Sequence, residues 1–392
     1  MLCKVPQVTV FFWVIKVLCT TVGETASDFL NVNLGLGLKG TSVAAGACLL
    51  IVLAAQLRAK RYVPAIYWLA VVLISVFGTL MTDILTDSLH FPLEASTVLF
   101  SVALGVTFGV WFWKEDTLSI HSIFTRRREI FYWLAILFTF ALGTATGDLI
   151  AEKLGVGYLN TGLIVLGVIA AAALARRLGL NSVLAFWIAY ILTRPLGASL
   201  GDYLSQSRSN GGLGLGAMVT SAVFLVAILG VVLYLAVTRK DFIEDPSASE
   251  PAENIAHGAM AQVAVVVVGL VGLGVTGYGL RRSQLRSQVV SSVSPDHPLG
   301  DLSVFQTIAM DMLALVRAGD SAGTRARADE LESAWDHAQG TLQPTSPEKW
   351  TLLDGSIDEV LKKARSSSHP AGASEASLKS LLDVIDSLDH RQ

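Results

Sequence analysis

The stretch from 133 to 148, WLAILFTFALGTATGD, decides how this chain is read. Trp133, Gly143 and Asp148 stand in it at intervals of ten and five residues. The same spacing returns as Trp13–Gly23–Asp28, Trp68–Gly78–Asp83 and Trp187–Gly197–Asp202. Each Trp follows another aromatic residue: Phe12, Tyr67, Tyr132 or Phe186. A fixed spacing inside self-similar units marks a repeat architecture. The Trp residues are offset by 55, 65 and 54, and the long interval holds a charged linker, Lys114–Glu129.

Every copy lies in an apolar run. Hydrophobic residues make up 52% of the chain and charged residues only 16%, with a mean hydropathy of +0.56. An ordinary soluble domain is about a quarter charged. Nine runs, 8–27, 41–57, 63–84, 94–113, 130–151, 159–175, 183–204, 213–237 and 256–280, are near the roughly 20 residues that cross a bilayer as helix. The strand alternation of a barrel is absent, and a spanning backbone must satisfy itself internally, so helices are predicted. The expected fold is an all-α integral membrane protein: an eight-helix bundle of four parallel two-helix repeats (1–240), a linker (241–255), a ninth transmembrane helix (256–280) and a small helical soluble tail (295–392).

Outward from the motif, each repeat pairs a Trp–Gly–Asp span with a second span rich in Gly, Ala, Ser and Thr. Thirteen residues beyond Asp come Thr41, Ser96 and Thr161. In the fourth repeat Leu215 holds that offset and Thr220–Ser221 follow five residues later, as an insertion in the Ser205–Gly212 loop would produce. Lys4 before an apolar run resembles a signal peptide. The first span nevertheless carries a whole copy of the motif, so it is expected to be retained.

Net charge is −3, divided unevenly. Residues 295–392 hold 9 Lys/Arg against 16 Asp/Glu, leaving 20 basic and 16 acidic residues before them. Basic residues gather at repeat junctions and the N-terminus: Lys4, Arg58, Lys60, Arg61, Lys114, Arg126, Arg127, Arg128, Arg176, Arg177, Arg239 and Lys240. Loops inside repeats hold only Lys39, Lys153 and Arg208. The positive-inside rule then puts the N-terminus and all junctions in the cytoplasm. Parity carries the tail to the other side, although Arg281, Arg282 and Arg286 after the ninth span pull the opposite way. Stripes at Leu302, Phe305, Ala309, Met312 and Val316, at Leu353, Ile357, Val360 and Ala364, and at Leu378, Leu381, Leu382, Ile385 and Leu388 predict about four short tail helices. Cys3, Cys19 and Cys48 match no metal spacing and are expected to pack as small hydrophobes.

Residues four apart share a helical face. Around each Asp that interval collects Thr20–Glu24–Asp28, Ser75–Thr79–Asp83–Asp87, Thr144–Asp148–Glu152 and Arg194–Ala198–Asp202–Gln206. Each odd-numbered span thus bears a polar stripe towards one end. Fifteen residues of helix rise about 22 Å, so a Trp near one interface places its Asp in the far third of the hydrocarbon core. Ionisable groups there are costly and usually functional. Four carboxylates at four negative helix ends repel unless cations or protons compensate. The bland alternative is that each Asp is solvated by headgroups and merely closes its helix.

Candidate pathway residues are therefore Asp28, Asp83, Asp148 and Asp202, with Glu24, Thr79, Thr144 and Arg194. Arg194 lies two turns from Asp202, so an acid from another repeat, Glu24 or Asp28, is its better partner, as a clasp or as a gate. Lys16 is expected to snorkel or pair. Trp13, Trp68, Trp133 and Trp187 are expected to anchor helices at the headgroup level. Gly23, Gly78, Gly143 and Gly197 are expected to permit close helix crossing. No Ser/His/Asp set, CxxC, HExxH or Walker loop occurs, so neither an enzyme nor a cofactor is expected. No basic cluster is interleaved with aromatics as nucleic-acid binding requires.

Four tandem two-span units, each with one Trp in this setting, resemble a family of bacterial membrane-anchored proteins built from four copies of a repeat of unknown function. The resemblance covers about residues 8–240 and implies a bacterial inner-membrane location but no established activity. Ala198 and the longer fourth loop depart from strict fourfold equivalence. Two readings follow: a transporter or channel for a small cation or proton-coupled solute through a carboxylate-lined path, or a non-transporting membrane scaffold or sensor whose tail binds a protein partner.

Overall fold

A computed structural model of the chain describes residues 4–30, 37–89, 91–206, 208, 212–241, 262, 274–281, 283, 302–342, 346–365 and 371–389, which form helices and short connections and no strand. The 241–255 linker beyond Asp241, and most of the 256–280 run, lie outside the described residues. Eight helices are long and apolar enough to cross a membrane. They are α1 (Val10–Asp28), α2 (Gly37–Arg58), α3 (Pro64–Asp83), α4 (Leu93–Glu115), α5 (Arg126–Asp148), α6 (Tyr158–Arg177), α7 (Ser182–Ser205) and α8 (Ala217–Thr238).

Local chemistry sets where these helices begin. Thr9, Thr125 and Asn181 accept backbone N–H groups at the starts of α1, α5 and α7, and Pro64 opens α3. Such caps satisfy donors that have no intrahelical partner. Gly157 and Gly216 precede α6 and α8 with φ of +80° and +78°, a conformation that favours glycine.

The odd helices close into a ring. α1 packs on α3, α3 on α5, α5 on α7, and α7 back on α1. The even helices stand outside it, each on the odd helix of the next repeat: α2 on α3, α4 on α5, α6 on α7 and α8 on α1. Every repeat therefore leans on its successor, and the last leans on the first. Equivalent positions meet at each junction of the ring, which requires the odd helices to run parallel. One end carries the aromatic pairs and the other the four Asp, here the Trp end and the Asp end.

The four glycines are where the ring helices cross. A methyl on Gly23 would overlap Ser75, and one on Gly197 would overlap Thr20. A methyl on Gly78 would come within 2.9 Å of Phe140 Cβ, and one on Gly143 would overlap the Arg194 stem. Each Gly thus receives the residue eight before Asp in the next repeat. On the outer helices Thr41, Ser96, Thr161 and Thr220 are all buried. Thr220 takes the place that simple counting assigned to Leu215.

Beyond the bundle, residues 303–389 fold into α9 (Ser303–Ala318), α10 (Ser321–Leu342), α11 (Pro347–Arg365) and α12 (Ala371–Asp389). Successive helices pack together and α12 returns to α9, over a core including Phe305, Met312, Leu331, Leu353, Ile357, Leu381 and Ile385. Trp335 stacks on Trp350 at 3.6 Å between ring centroids and donates to Asp354 Oδ1 at 2.6 Å. Helix α10 rests against residues 149–153 at the Asp end of the ring.

Two cysteines divide. Cys19 is buried in the ring, but Cys48 is exposed on the outside of α2, contrary to the packing expected of it. The reason is rotational: an outer helix buries one narrow face, and Cys48 is off it. Cys3 lies outside the described residues.

Candidate functional site

Counting back from each Asp in steps of four gives the lining of the ring, layer by layer. The Asp layer is Asp28, Asp83, Asp148 and Asp202. Next come Glu24, Thr79, Thr144 and Ala198, then Thr20, Ser75, Phe140 and Arg194. Below them lie Lys16, Val71, Ile136 and Tyr190, and last Phe12, Tyr67, Tyr132 and Phe186. All of the three middle layers are buried. Asp28, Asp83 and Asp148 are half-buried, and Asp202 is 8% exposed. The ring is therefore filled along its length and loosens only at the Asp end.

That end is built by a change of helix type. Directly after Asp28, Asp83 and Asp148 the backbone widens into π-helical turns at 29–30, 84–88 and 149–153. Such turns are uncommon and recur at functional sites. Asp202 lies within electrostatic reach of Glu24, Asp28, Asp148 and Glu152. Asp28 is within reach of Glu24, Glu152 and Arg194, and also of Glu332 on α10. The side chain of Asp87, at the end of the third-span stripe, lies outside the described residues.

Arg194 occupies the centre. Its stem fits against Gly143, and its terminal nitrogens reach across the ring to three other repeats. Nη2 donates to Glu24 Oε2, to Thr79 Oγ1 and, at 2.8 Å, to Thr144 Oγ1. Nη1 donates to the Thr20 carbonyl at 3.3 Å. Three repeats thus supply an oxygen from one equivalent position, and the fourth supplies the cation with apolar Ala198 in place of an oxygen. The departure at Ala198 fits this division. Taking one partner from such a buried pair costs about 3–5 kcal/mol. Pro195 follows directly, lacks an N–H, and leaves α7 one backbone bond short at this level.

Lys16 does not snorkel. It is buried one layer below, with Nζ 3.6 Å from the Phe140 ring centroid and 4.2 Å from that of Tyr190. It has no hydrogen-bond partner among the described residues. Its stripe faces the ring interior, so its stem has no route to either surface.

The Trp residues likewise differ from a headgroup belt. They form an aromatic collar between the ring helices: Phe12 meets Trp68 at 5.6 Å, Tyr67 meets Trp133 at 5.4 Å, Tyr132 meets Trp187 at 6.4 Å, and Phe186 meets Trp13 at 5.7 Å. Trp68 is only 2% exposed. The residue before each Trp faces the axis, and this turns the Trp into the seam with the neighbouring helix. Tyr67 and Tyr132 share a hydrogen bond between their hydroxyls at the centre.

A strap of residues 4–9 crosses the Trp end and seals it. Lys4 pairs with Glu129 at 2.6 Å, and Gln56 donates to the same carboxylate at 3.2 Å. The Gln7 N–H donates to the Asp241 carbonyl at 2.9 Å, and the Tyr62 hydroxyl donates to Asp241 Oδ2 at 2.6 Å. Burial pushes the Asp241 carboxyl above the ordinary carboxylate range, against the opposing effect of the Tyr62 hydrogen bond. Burial, with the Asp241 contact, pushes the Tyr62 phenol up as well. Nothing in the short-range sequence pattern marks this seal, since Lys4 and Glu129 are 125 residues apart.

These features define a class: a closed ring of four tandem two-helix repeats with a polar axis. The family model of the Repeat of Unknown Function (DUF347) matches residues 11–62, 66–117, 131–178 and 185–241, more than half of the chain. The chain belongs to this family. No curated protein and no solved structure matches it.

Proposed function

We propose that the chain is a multi-pass transporter of the bacterial inner membrane for a small cation or proton-coupled solute, with its path along the axis of the four odd helices. The observation that carries this reading is the arrangement of ionisable residues along that axis. A carboxylate layer lies at the loosened end, an oxygen layer lies beneath it, and a seal closes the other end. Intramembrane ionisable groups facing a bundle interior mark ion and substrate pathways. A filled axis suits a transporter that exposes its site to one side at a time better than a standing channel. The DUF347 match lends no activity to this reading, which stands on the residues alone. No enzymatic step and no cofactor enters it.

The proposed orientation puts the Trp end in the cytoplasm and the Asp end outside. A ninth span over 256–280 then carries the chain outward to the tail. Gln262 accepts from the Asn181 N–H at 3.0 Å, at the Trp end. Tyr278 donates to Glu94 Oε1 at 2.9 Å and Arg281 donates to the Leu154 carbonyl at 2.7 Å, both at the Asp end. Contacts at opposite ends support a crossing. They also give Arg281 carbonyl partners where the positive-inside rule disfavours it.

In proteoliposomes, Asp83→Asn and Asp148→Asn should each lower cation-dependent flux at least about tenfold, an effect of about 1.4 kcal/mol on the barrier, while the folded protein is retained. Parental flux in both variants would contradict the reading. One observation favours the scaffold or sensor alternative: α10 rests on the Asp end, with Glu332 in reach of Asp28. Deleting residues 295–392 separates the two, because a transporter keeps flux and a sensor loses its output.

A further inference from the structure

We infer that the oxygen layer of Glu24, Thr79 and Thr144 is a binding site for a monovalent, N–H-donating organic cation of the guanidinium or primary-ammonium class, and that Arg194 is its tethered occupant, displaced when the free cation arrives. The inference rests on the transport reading and names its substrate class.

Three features of the axis lead here. First, the acceptors suit a nitrogen cation. One carboxylate oxygen, two hydroxyl oxygens and the Thr20 carbonyl all receive N–H bonds from one guanidinium. A guanidinium presents its donors in a planar fork that matches such acceptors. Second, the layer below holds the Lys16 amine with no oxygen partner among the described residues. Lys16 Nζ rests against the faces of Phe140 and Tyr190, an arrangement that recognises ammonium groups by the ring quadrupole. The axis thus offers a hydrogen-bonding station and an aromatic station, each filled by a nitrogen group of the protein itself.

Third, Arg194 is held by its tip and has somewhere else to go. Its buried Nε has no hydrogen-bond partner among the described residues. Asp28, one layer nearer the Asp end than Glu24, is already within its electrostatic reach. Pro195 interrupts the backbone ladder beside it, and the stem lies directly against Gly143, which carries no side chain. A cation entering past the carboxylates would take the Glu24 layer as Arg194 moves to Asp28. Each of the two cations would then face its own carboxylate, the incoming one Glu24 and Arg194 Asp28.

The test uses the full chain purified in detergent and thermal unfolding as the readout. Arg194→Ala empties the station and leaves Glu24 without a cation. Guanidinium or methylammonium should then raise Tm by about 5–10 °C when present about a hundredfold above its Kd. Choline, which has no N–H donor, should leave Tm unchanged. In Glu24→Gln with Arg194→Ala the guanidinium response should vanish. Should Arg194→Ala not fold, Arg194→Gln carries the same test, since it keeps the stem against Gly143 while removing the charge. No cation-specific rise in the folded variant, or a choline response equal to that of guanidinium, would overturn the assignment. Liposome flux of methylammonium separates this inference from the one it rests on. A Tm response without flux retains the site and overturns transport, whereas flux without a Tm response overturns the site.

Discussion

The inner and outer helices of the bundle are built from similar apolar sequence and do opposite things with it. All eight are long and apolar enough to span a membrane. Of the most apolar window of each odd helix, between 56% and 61% is buried, against 22% to 28% in the even ones. The outer helices leave Leu50, Val102, Leu163 and Val226 exposed, which is the surface lipid would cover. Hydropathy alone does not separate the two kinds. The four-residue polar and aromatic stripe does, because it marks the face that must be kept from lipid. Inner helices carry chemistry along that face, and outer helices close the seams between repeats.

The inner ring depends most on Arg194. Arg194→Met should lower unfolding free energy by about 3–5 kcal/mol, since it strands Glu24. A loss under about 1 kcal/mol in chemical unfolding would mean the pair is not buried as described. Matched glycines sharpen the contrast at the next level. Gly197→Val, at a ring crossing, should cost about 1–3 kcal/mol by overpacking, whereas Gly105→Val, with nothing within 4 Å of its added Cβ, should stay within about 0.5 kcal/mol. Equal losses would erase the distinction between inner and outer helices.

The smallest effect concerns the seal at the Trp end. The Asp241 carboxyl is raised in the folded protein. Its contribution is therefore fully present below the unfolded value, about 4, and is lost as pH rises through the folded value. Asp241→Asn should remove that part of the decline in Tm with rising pH. A decline as steep as the parent's would show that Asp241 does not set it.

Much of this was legible in the residues. Four copies of one spacing predicted the repeats and the shared interior, the apolar runs predicted the eight spans, and the isolation of Arg194 from Asp202 pointed to an acid in the first repeat. What escaped was rotation. The distance of Trp68 from a basic loop shows its depth but not whether it faces lipid or a seam. Lys16 has a stem long enough to snorkel, and only its position twelve before Asp28 would have placed it inside. Phe140 interrupts the polar stripe of the third repeat, so its part in the Lys16 cage was hidden. The seal at the Trp end joins residues from distant loops, which periodicity within one helix cannot reveal. The thirteen-residue offset slipped in the fourth repeat for a simpler reason: the loop is longer, and Thr220 occupies the position.

Arg194 joins the fourth repeat to the first across a closed ring. A double-mutant cycle measures this directly, with Arg194→Met, Glu24→Gln and the pair compared in chemical unfolding. A coupling of about 2–3 kcal/mol between the two sites is expected, near the upper end for residues in one buried network. Additivity within about 0.5 kcal/mol would contradict the ring and the site together.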